Sequence, residues 1–125
     1  MKTLIHRMVP FADGGLATDV YLPAGPGPFP VVLVRTPYHR SGLQALAPRF
    51  VERGYAFVTQ DCRGKFDSDG SFTPLVFEAE DGLATLDWIA NHSWCNGRIG
   101  MWGRSYLGIV QIPAAISGHQ ALRCI

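Results

Sequence analysis

The chain has 125 residues, the length of one average domain, so we expect a single hydrophobic core. Eleven basic and ten acidic residues give a net charge of +1 without a long basic run, which argues against a nucleic-acid-binding protein. No uncharged stretch approaches the roughly 18 apolar residues that a membrane span needs. The three cysteines, Cys62, Cys95 and Cys124, are widely spaced and favour neither a disulfide framework nor a zinc site. We therefore expect a cytoplasmic protein that uses no metal or cofactor and binds no nucleic acid or membrane.

The N-terminal third predicts a β-hairpin followed by a buried strand. Residues 16–22 alternate between an apolar face and a wetter face, as a strand does. Turn residues precede them at 13–15, and residues 4–9 supply the antiparallel partner. The run 31–34 is β-branched, apolar on both faces and too short for a helix. Such a run is typical of a strand buried between two layers.

The remaining residues alternate between helical and strand patterns. The predicted elements are a helix at 43–53 capped by Gly54, a strand at 55–60, a helix at 78–91 with Leu83, Leu86 and Ile89 on one face, a strand at 98–102 and a helix at 105–117, in which Pro113 indicates a kink or early end. This order predicts an α/β fold with a doubly wound sheet. We expect 31–34, 55–60 and 98–102 to be neighbouring parallel strands.

Ser105 is the strongest candidate for a catalytic residue. It lies at the junction between a predicted strand and a predicted helix, where a nucleophile elbow exposes a serine hydroxyl. Gly103, two residues before it, suits the crowded turn, whereas the glycine that usually follows two residues later is replaced by Leu107, with Gly108 one position further. A helix-capping role for Ser105, with Gly103 supplying a turn, explains the spacing equally well.

Five motifs resemble, in order and spacing, the N-terminal part of the X-Pro dipeptidyl-peptidase-like serine hydrolases, the family that includes cocaine esterases and α-amino acid ester hydrolases. The motifs are Arg35-Thr36-Pro37-Tyr38, Gln60-Asp61-x-Arg63-Gly64 with Ser68-x-Gly70, Asp87-Trp88-Ile89, Trp94 to Met101, and Gly103-x-Ser105-Tyr106-Leu107-Gly108. The resemblance covers nearly the whole chain. It implies an α/β-hydrolase domain, of which residues 1–125 would be the N-terminal part, and cleavage of acyl esters or amides by a Ser-His-Asp triad.

By position, the resemblance assigns the nucleophile to Ser105 and the oxyanion hole to the Tyr106 backbone N–H and the Tyr38 hydroxyl. Tyr38 follows the buried strand 31–34, on the loop that supplies the second oxyanion donor in α/β-hydrolases. Without the resemblance, a surface turn residue after Pro37 is the better interpretation of Tyr38. The substrate is expected to be a small ester, amide or short peptide.

Other polar and aromatic residues receive structural interpretations. We interpret Asp61, Asp67, Asp69 and Arg63 as a solvated or salt-bridged turn, because the spacing of a calcium loop is absent. Glu78, Glu80 and Asp81 form an acidic first helical turn, and Trp88, Trp94 and Trp102 are interpreted as core or turn packing.

The chain contains no convincing catalytic base. In this fold the order is serine, acid, histidine, and only His119 follows Ser105, at the far end of the same predicted helix, roughly 20 Å away at about 1.5 Å per residue. His39, next to Tyr38, is the first alternative. The family's acid and histidine, helical cap and jelly-roll domain are expected beyond residue 125, so the chain looks truncated. We expect it alone to be inactive, marginally stable and prone to self-association.

Two function classes are alternatives to a serine hydrolase. A non-catalytic remnant or interaction module would explain the missing base and acid. A phosphate-binding nucleotide fold would need a glycine-rich loop after the first buried strand, and residues 35–40 contain no glycine. The second of these is therefore disfavoured.

Overall fold

The alternating strand and helix patterns produce an α/β architecture in the computed structural model, which describes residues 3–125. The strands are β1 (Thr3–Phe11), β2 (Gly14–Leu22), β3 (Phe29–Thr36), β4 (Ala56–Asp61), β5 (Cys95–Met101) and β6 (Leu122–Cys124). The helical segments are a 3-10 helix (Arg40–Leu46), α1 (Ala47–Val51), α2 (Glu78–Ala90), α3 (Tyr106–Ile109) and α4 (Gln111–Ile116). The predicted fold class is therefore confirmed.

All six strands belong to one sheet in the order β1-β2-β4-β3-β5-β6. β1 and β2 form the predicted antiparallel hairpin, and β2 also pairs antiparallel with β4. β3 pairs in parallel with both β4 and β5, so that Val31 lies opposite Ala56 on one side and Ile99 on the other. The three predicted parallel strands are thus neighbours, and Ser105 follows the last of them.

Both faces of the sheet are covered by helices. One core joins Leu33 of β3 to residues such as Leu86 of α2 and Ala114 of α4. The other joins Val34 of β3 to α1 through Val51. Because successive side chains of a strand point to opposite faces, a strand between two such cores must be apolar throughout.

The prediction of a wetter face on β2 is wrong. Ala17 and Tyr21 were assigned to that face, yet they are 0% and 1% exposed. Tyr21 packs in the same core as α1, whose side chains cover this face of the sheet. The alternation between apolar and wetter positions therefore predicted exposure on a face that α1 covers.

The predicted helix at 43–53 is instead a 3-10 helix followed by the short α1. Pro48 lies in the first turn of α1, where a proline is tolerated because its missing N–H has no intrahelical partner. A continuous helix from residue 43 would place that proline in its interior. Gly54 follows α1 with φ +85° and donates its N–H to the Val51 carbonyl, as predicted for a glycine at a helix end.

The predicted helix at 105–117 is divided into α3 and α4 at Val110. Pro113 has no N–H for the carbonyl of Ile109, so the helix loses a hydrogen bond there. None of the helices in residues 3–125 combines the length and apolar character needed to cross a bilayer, and the longest, α2, has 13 residues.

Two apolar side chains are more exposed than predicted. Leu83 of α2 is 39% exposed, and the buried face of that helix includes the acidic residues Glu78 and Asp81. Trp102, assigned to core or turn packing, is 45% exposed directly after β5. The buried acids of α2 form ion pairs with Arg35 and Arg63.

Candidate active site

Ser105 occupies a strained turn between β5 and α3. Its backbone has φ 57° and ψ −131°, a conformation that residues other than glycine rarely adopt. The exposed Ser105 therefore lies just beyond the carboxyl end of β5, which runs parallel to its neighbour β3. This is the geometry of a nucleophile elbow.

The glycines around Ser105 compensate for the leucine in the motif. Gly103 has φ +138°, and a Cβ added there would lie 2.5 Å from the Cβ of Leu107. A Cβ at Gly108 would lie 3.2 Å from the Gly103 carbonyl oxygen. The tight approach across the turn therefore requires glycine at 103 because position 107 carries a side chain, and it also favours glycine at 108.

Gln111, which sequence reasoning missed, holds the same turn from below. Its buried side-chain amide donates hydrogen bonds to the carbonyl oxygens of Gly103 (3.2 Å) and Leu107 (3.0 Å). A polar residue on the apolar side of the predicted helix was the signal that could have identified it. By bonding both sides of the turn, Gln111 restrains the strained backbone of Ser105.

Tyr38 lies beside Ser105, although 67 residues separate them in the chain. Its hydroxyl oxygen is 3.5 Å from the Ser105 Oγ, and its backbone N–H donates to the Thr36 Oγ1 at 2.9 Å. The side chain is 60% exposed, so it faces the space above the serine rather than the core. Tyr106 follows Ser105 directly, and the structure thus brings all three predicted site residues together.

The side chain of Tyr106 is anchored by two hydrogen bonds. Its hydroxyl donates to the Glu78 Oε2 at 2.5 Å and accepts from the Leu75 N–H at 3.0 Å. Burial, followed by the hydrogen bond to Glu78, raises the pKa of Tyr106 to about 12. The phenol therefore stays protonated at neutral pH. Its two hydrogen bonds hold Tyr106, the residue after Ser105, in place.

Glu78 belongs to a buried polar network rather than to a solvated helix end. Its Oε1 lies 2.9 Å from the Nη1 of Arg35, whose side chain is fully buried. Arg35 Nε also donates to the Gln60 Oε1 at 2.6 Å. Thr85 donates to the same Gln60 oxygen. The sequence signal was an arginine at the end of an apolar strand, since a buried guanidinium needs an acidic partner.

We expect Glu78→Gln to lower the free energy of unfolding by about 3–5 kcal/mol, because it leaves the buried Arg35 without its counter-charge. Glu80→Gln is the matched control, because the Glu80 side chain is 65% exposed and lies 3.8 Å from Arg63. That change should cost only about 0–1 kcal/mol. Urea denaturation at neutral pH measures both. Equal effects of the two substitutions would contradict the assignment.

The acidic loop after β4 is salt-bridged, and Asp61 is buried rather than solvated. Arg40 Nη1 lies 2.5 Å from Asp61 Oδ2 and 2.8 Å from Asp67 Oδ2. The backbone N–H of Arg40 also donates to Asp61 at 2.7 Å, which fixes the loop two residues after Tyr38. His39, Asp61 and Asp67 could together face a cation, but the Arg40 guanidinium already occupies the space between the two carboxylates.

No imidazole among residues 3–125 has a hydrogen bond to the Ser105 Oγ. Both ring nitrogens of His119 have partners, since Nδ1 accepts from the Ala121 N–H and Nε2 lies 2.6 Å from Asp87 Oδ1. His39, the other candidate, directs its Nδ1 to the Ser41 hydroxyl and packs against Phe66. The described residues therefore place Ser105, the candidate nucleophile, beside the Tyr38 hydroxyl, a candidate oxyanion donor, and hydrogen-bond no imidazole to the serine.

The family model for X-Pro dipeptidyl-peptidase (S15 family) matches residues 14–125. A cocaine esterase from Rhodococcus sp. (strain MB1 Bresler) is 46% identical over 125 residues, covering 94% of this chain and 22% of that protein. A Xaa-Pro dipeptidyl-peptidase from Lactobacillus helveticus is 35% identical over 89 residues, which cover 58% of this chain and 11% of that protein.

The solved structure of an alpha-amino acid ester hydrolase superposes with a TM-score of 0.87 at 36% identity, covering 97% of this chain and 24% of that one. The chain thus spans about a quarter or less of the length of these relatives. Its six-stranded sheet corresponds to part of an α/β-hydrolase domain. The chain belongs to the X-Pro dipeptidyl-peptidase (S15) family of serine-type esterases and peptidases.

Proposed function

We propose that this chain supplies the nucleophile and the oxyanion hole of a serine hydrolase that cleaves acyl esters or amides. The observation that carries the proposal is the strained Ser105, whose Oγ lies 3.5 Å from the Tyr38 hydroxyl. A strained serine needs support from the surrounding fold, and that support is typical of a catalytic turn. A serine that only capped a helix would make a side-chain hydrogen bond to the helix backbone, and Ser105 makes no such capping bond.

The proposed reaction begins with attack of the Ser105 Oγ on the acyl carbon. A histidine from beyond residue 125 takes the hydroxyl proton, and the carbonyl electron pair moves onto oxygen. That oxygen is held between the Tyr106 backbone N–H and the Tyr38 O–H, both of which are donors. The intermediate collapses, the histidine returns the proton to the leaving alcohol or amine, and water then hydrolyses the acyl-serine in the same way.

The proposed substrate class rests on the activities of the relatives. They include a cocaine esterase and Xaa-Pro dipeptidyl-peptidases, which indicates a small-molecule ester or a short peptide as the substrate. The proposed steps need no metal or cofactor, because the serine, the base and the two hydrogen-bond donors are sufficient for acyl transfer.

The test of the proposal uses the full-length protein, which is the product of the complete reading frame that encodes this chain. We expect it to hydrolyse 4-nitrophenyl acetate or alanyl-prolyl-4-nitroanilide, while residues 1–125 alone turn over neither, because the proton acceptor is missing. A full-length protein inactive on both would favour the non-catalytic alternative. Efficient turnover by residues 1–125 alone would show that one of the chain's own residues, with His39 the first to test, serves as the base.

A further inference from the structure

A pocket of about 280 Å³ opens at the two proposed oxyanion residues, Tyr38 and Tyr106, and the proposed reaction steps assign no role to its other walls. It is lined by Pro37, Tyr38, Lys65, Phe72, Pro74 and Tyr106. Five of these six residues carry rings, and two of them are the proposed oxyanion residues. A flat, apolar substrate group next to the scissile bond would fit such walls, because rings stack well on aromatic and proline surfaces.

The pocket is held in shape by the backbone beneath it. The Lys65 N–H donates to the Cys62 carbonyl at 2.9 Å, which closes a tight turn. Gly64 has φ +76°, and a Cβ there would lie 2.1 Å from the backbone nitrogen of Phe72. The part of the β4–α2 loop that carries Lys65 is therefore packed directly against the part of the same loop that carries Phe72. Tyr106, fixed by Glu78, forms the wall next to Phe72, with the two ring centroids 5.8 Å apart.

Lys65 is the one charged residue in the lining, and no carboxylate of residues 3–125 forms an ion pair with it. Its Nζ lies 4.7 Å from the centroid of the Phe72 ring, a cation–π contact that leaves its N–H groups available. The acids of the same loop have other partners. Asp67 lies 2.8 Å from Arg40, and Asp69 accepts from the Gly15 N–H at 2.9 Å.

We propose that this pocket binds a ring of the substrate that carries a carboxylate, with Lys65 as the specificity-determining residue. The inference rests on the proposed function, because it places the ring beside the acyl carbon that Ser105 attacks. The rings of the walls contact the substrate ring, and the Lys65 ammonium donates to the carboxylate. The preferred substrates are then aryl esters or aroyl esters with an anionic substituent, rather than neutral ones.

Two matched substrate pairs test the inference on the full-length protein. One pair places the charge on the leaving group, as 4-acetoxybenzoate and 4-acetoxybenzamide. The other places it on the acyl group, as the 4-nitrophenyl esters of 4-carboxybenzoic and 4-carbamoylbenzoic acid. We expect kcat/KM to favour the carboxylate about tenfold in at least one pair, the size of one charge-assisted hydrogen bond.

Lys65→Met should lower kcat/KM for the carboxylate ester about tenfold relative to its neutral partner, which removes the preference, and Lys65→Arg should restore it. Arg98→Met is the control for a loss of positive charge elsewhere, because Arg98 is exposed on β5 and outside this pocket. No carboxylate preference in either pair, or a preference that survives Lys65→Met, would overturn the inference while hydrolysis of the neutral esters upholds the proposed function.

If none of the four esters is hydrolysed, the pocket is tested by binding alone, and the proposed function is decided by 4-nitrophenyl acetate and alanyl-prolyl-4-nitroanilide. Titration calorimetry with 4-hydroxybenzoate then decides. Binding that is lost in Lys65→Met and retained in Arg98→Met would support an anion-binding pocket. Absence of binding, or equal binding by both variants, would overturn it.

Discussion

Ser105→Ala is expected to abolish covalent labelling of the full-length protein by a fluorophosphonate. The probe phosphonylates a serine only when its oxygen is activated and accessible, and Ser105 is exposed on a strained turn. Removing the hydroxyl removes the oxygen that attacks the phosphorus of the probe and displaces its fluoride. Intact-mass spectrometry after incubation with the probe measures the result.

Ser71→Ala is the matched control, because Ser71 is an exposed loop serine outside the strand-to-helix turn. It should label at the wild-type rate. Undiminished labelling of Ser105→Ala would show that another residue is the nucleophile.

Tyr38→Phe is expected to lower kcat about 100- to 1000-fold, the usual scale for deleting one oxyanion donor. The phenol donates mainly to charge that exists only in the transition state, so KM should change far less than kcat. The ring itself is retained, so the wall of the neighbouring pocket is preserved. Steady-state kinetics with a 4-nitrophenyl ester measures both constants.

Tyr55→Phe serves as the control, since Tyr55 is 40% exposed just before β4 and does not contact Ser105. It should leave kcat unchanged. If Tyr38→Phe raised KM with kcat unaffected, Tyr38 would be a substrate-binding residue instead.

Much of the fold was predictable because it depends on local patterns. The apolar run at 31–34 and the strand at 55–60 are bounded by turn residues, and their burial on both faces follows from composition. Helix ends were predicted less well. Pro48 and Pro113 each divided a segment whose apolar spacing alone indicated one continuous helix.

The candidate site was predictable only in part. Gly103 and Ser105 indicate a strand-to-helix turn, because both positions have the positive φ of a tight turn. The pairing of Arg35 with Glu78 spans 43 residues and depends on how α2 packs on β3, which no local pattern encodes. The proximity of Tyr38 to Ser105 is equally non-local, and it was expected from the resemblance to a family rather than from spacing.

The proposed reaction requires Ser105 to form an acyl-enzyme. The most direct test is to quench the full-length protein with acid during turnover of a 4-nitrophenyl ester and to digest it with trypsin. Mass spectrometry then gives the masses of the peptides. Cleavage after Arg104 and after Arg123 releases residues 105–123. We expect this peptide to gain the mass of one acyl group, and we expect no such gain in Ser105→Ala. Turnover with the acyl group on any other peptide, or on none, would contradict it.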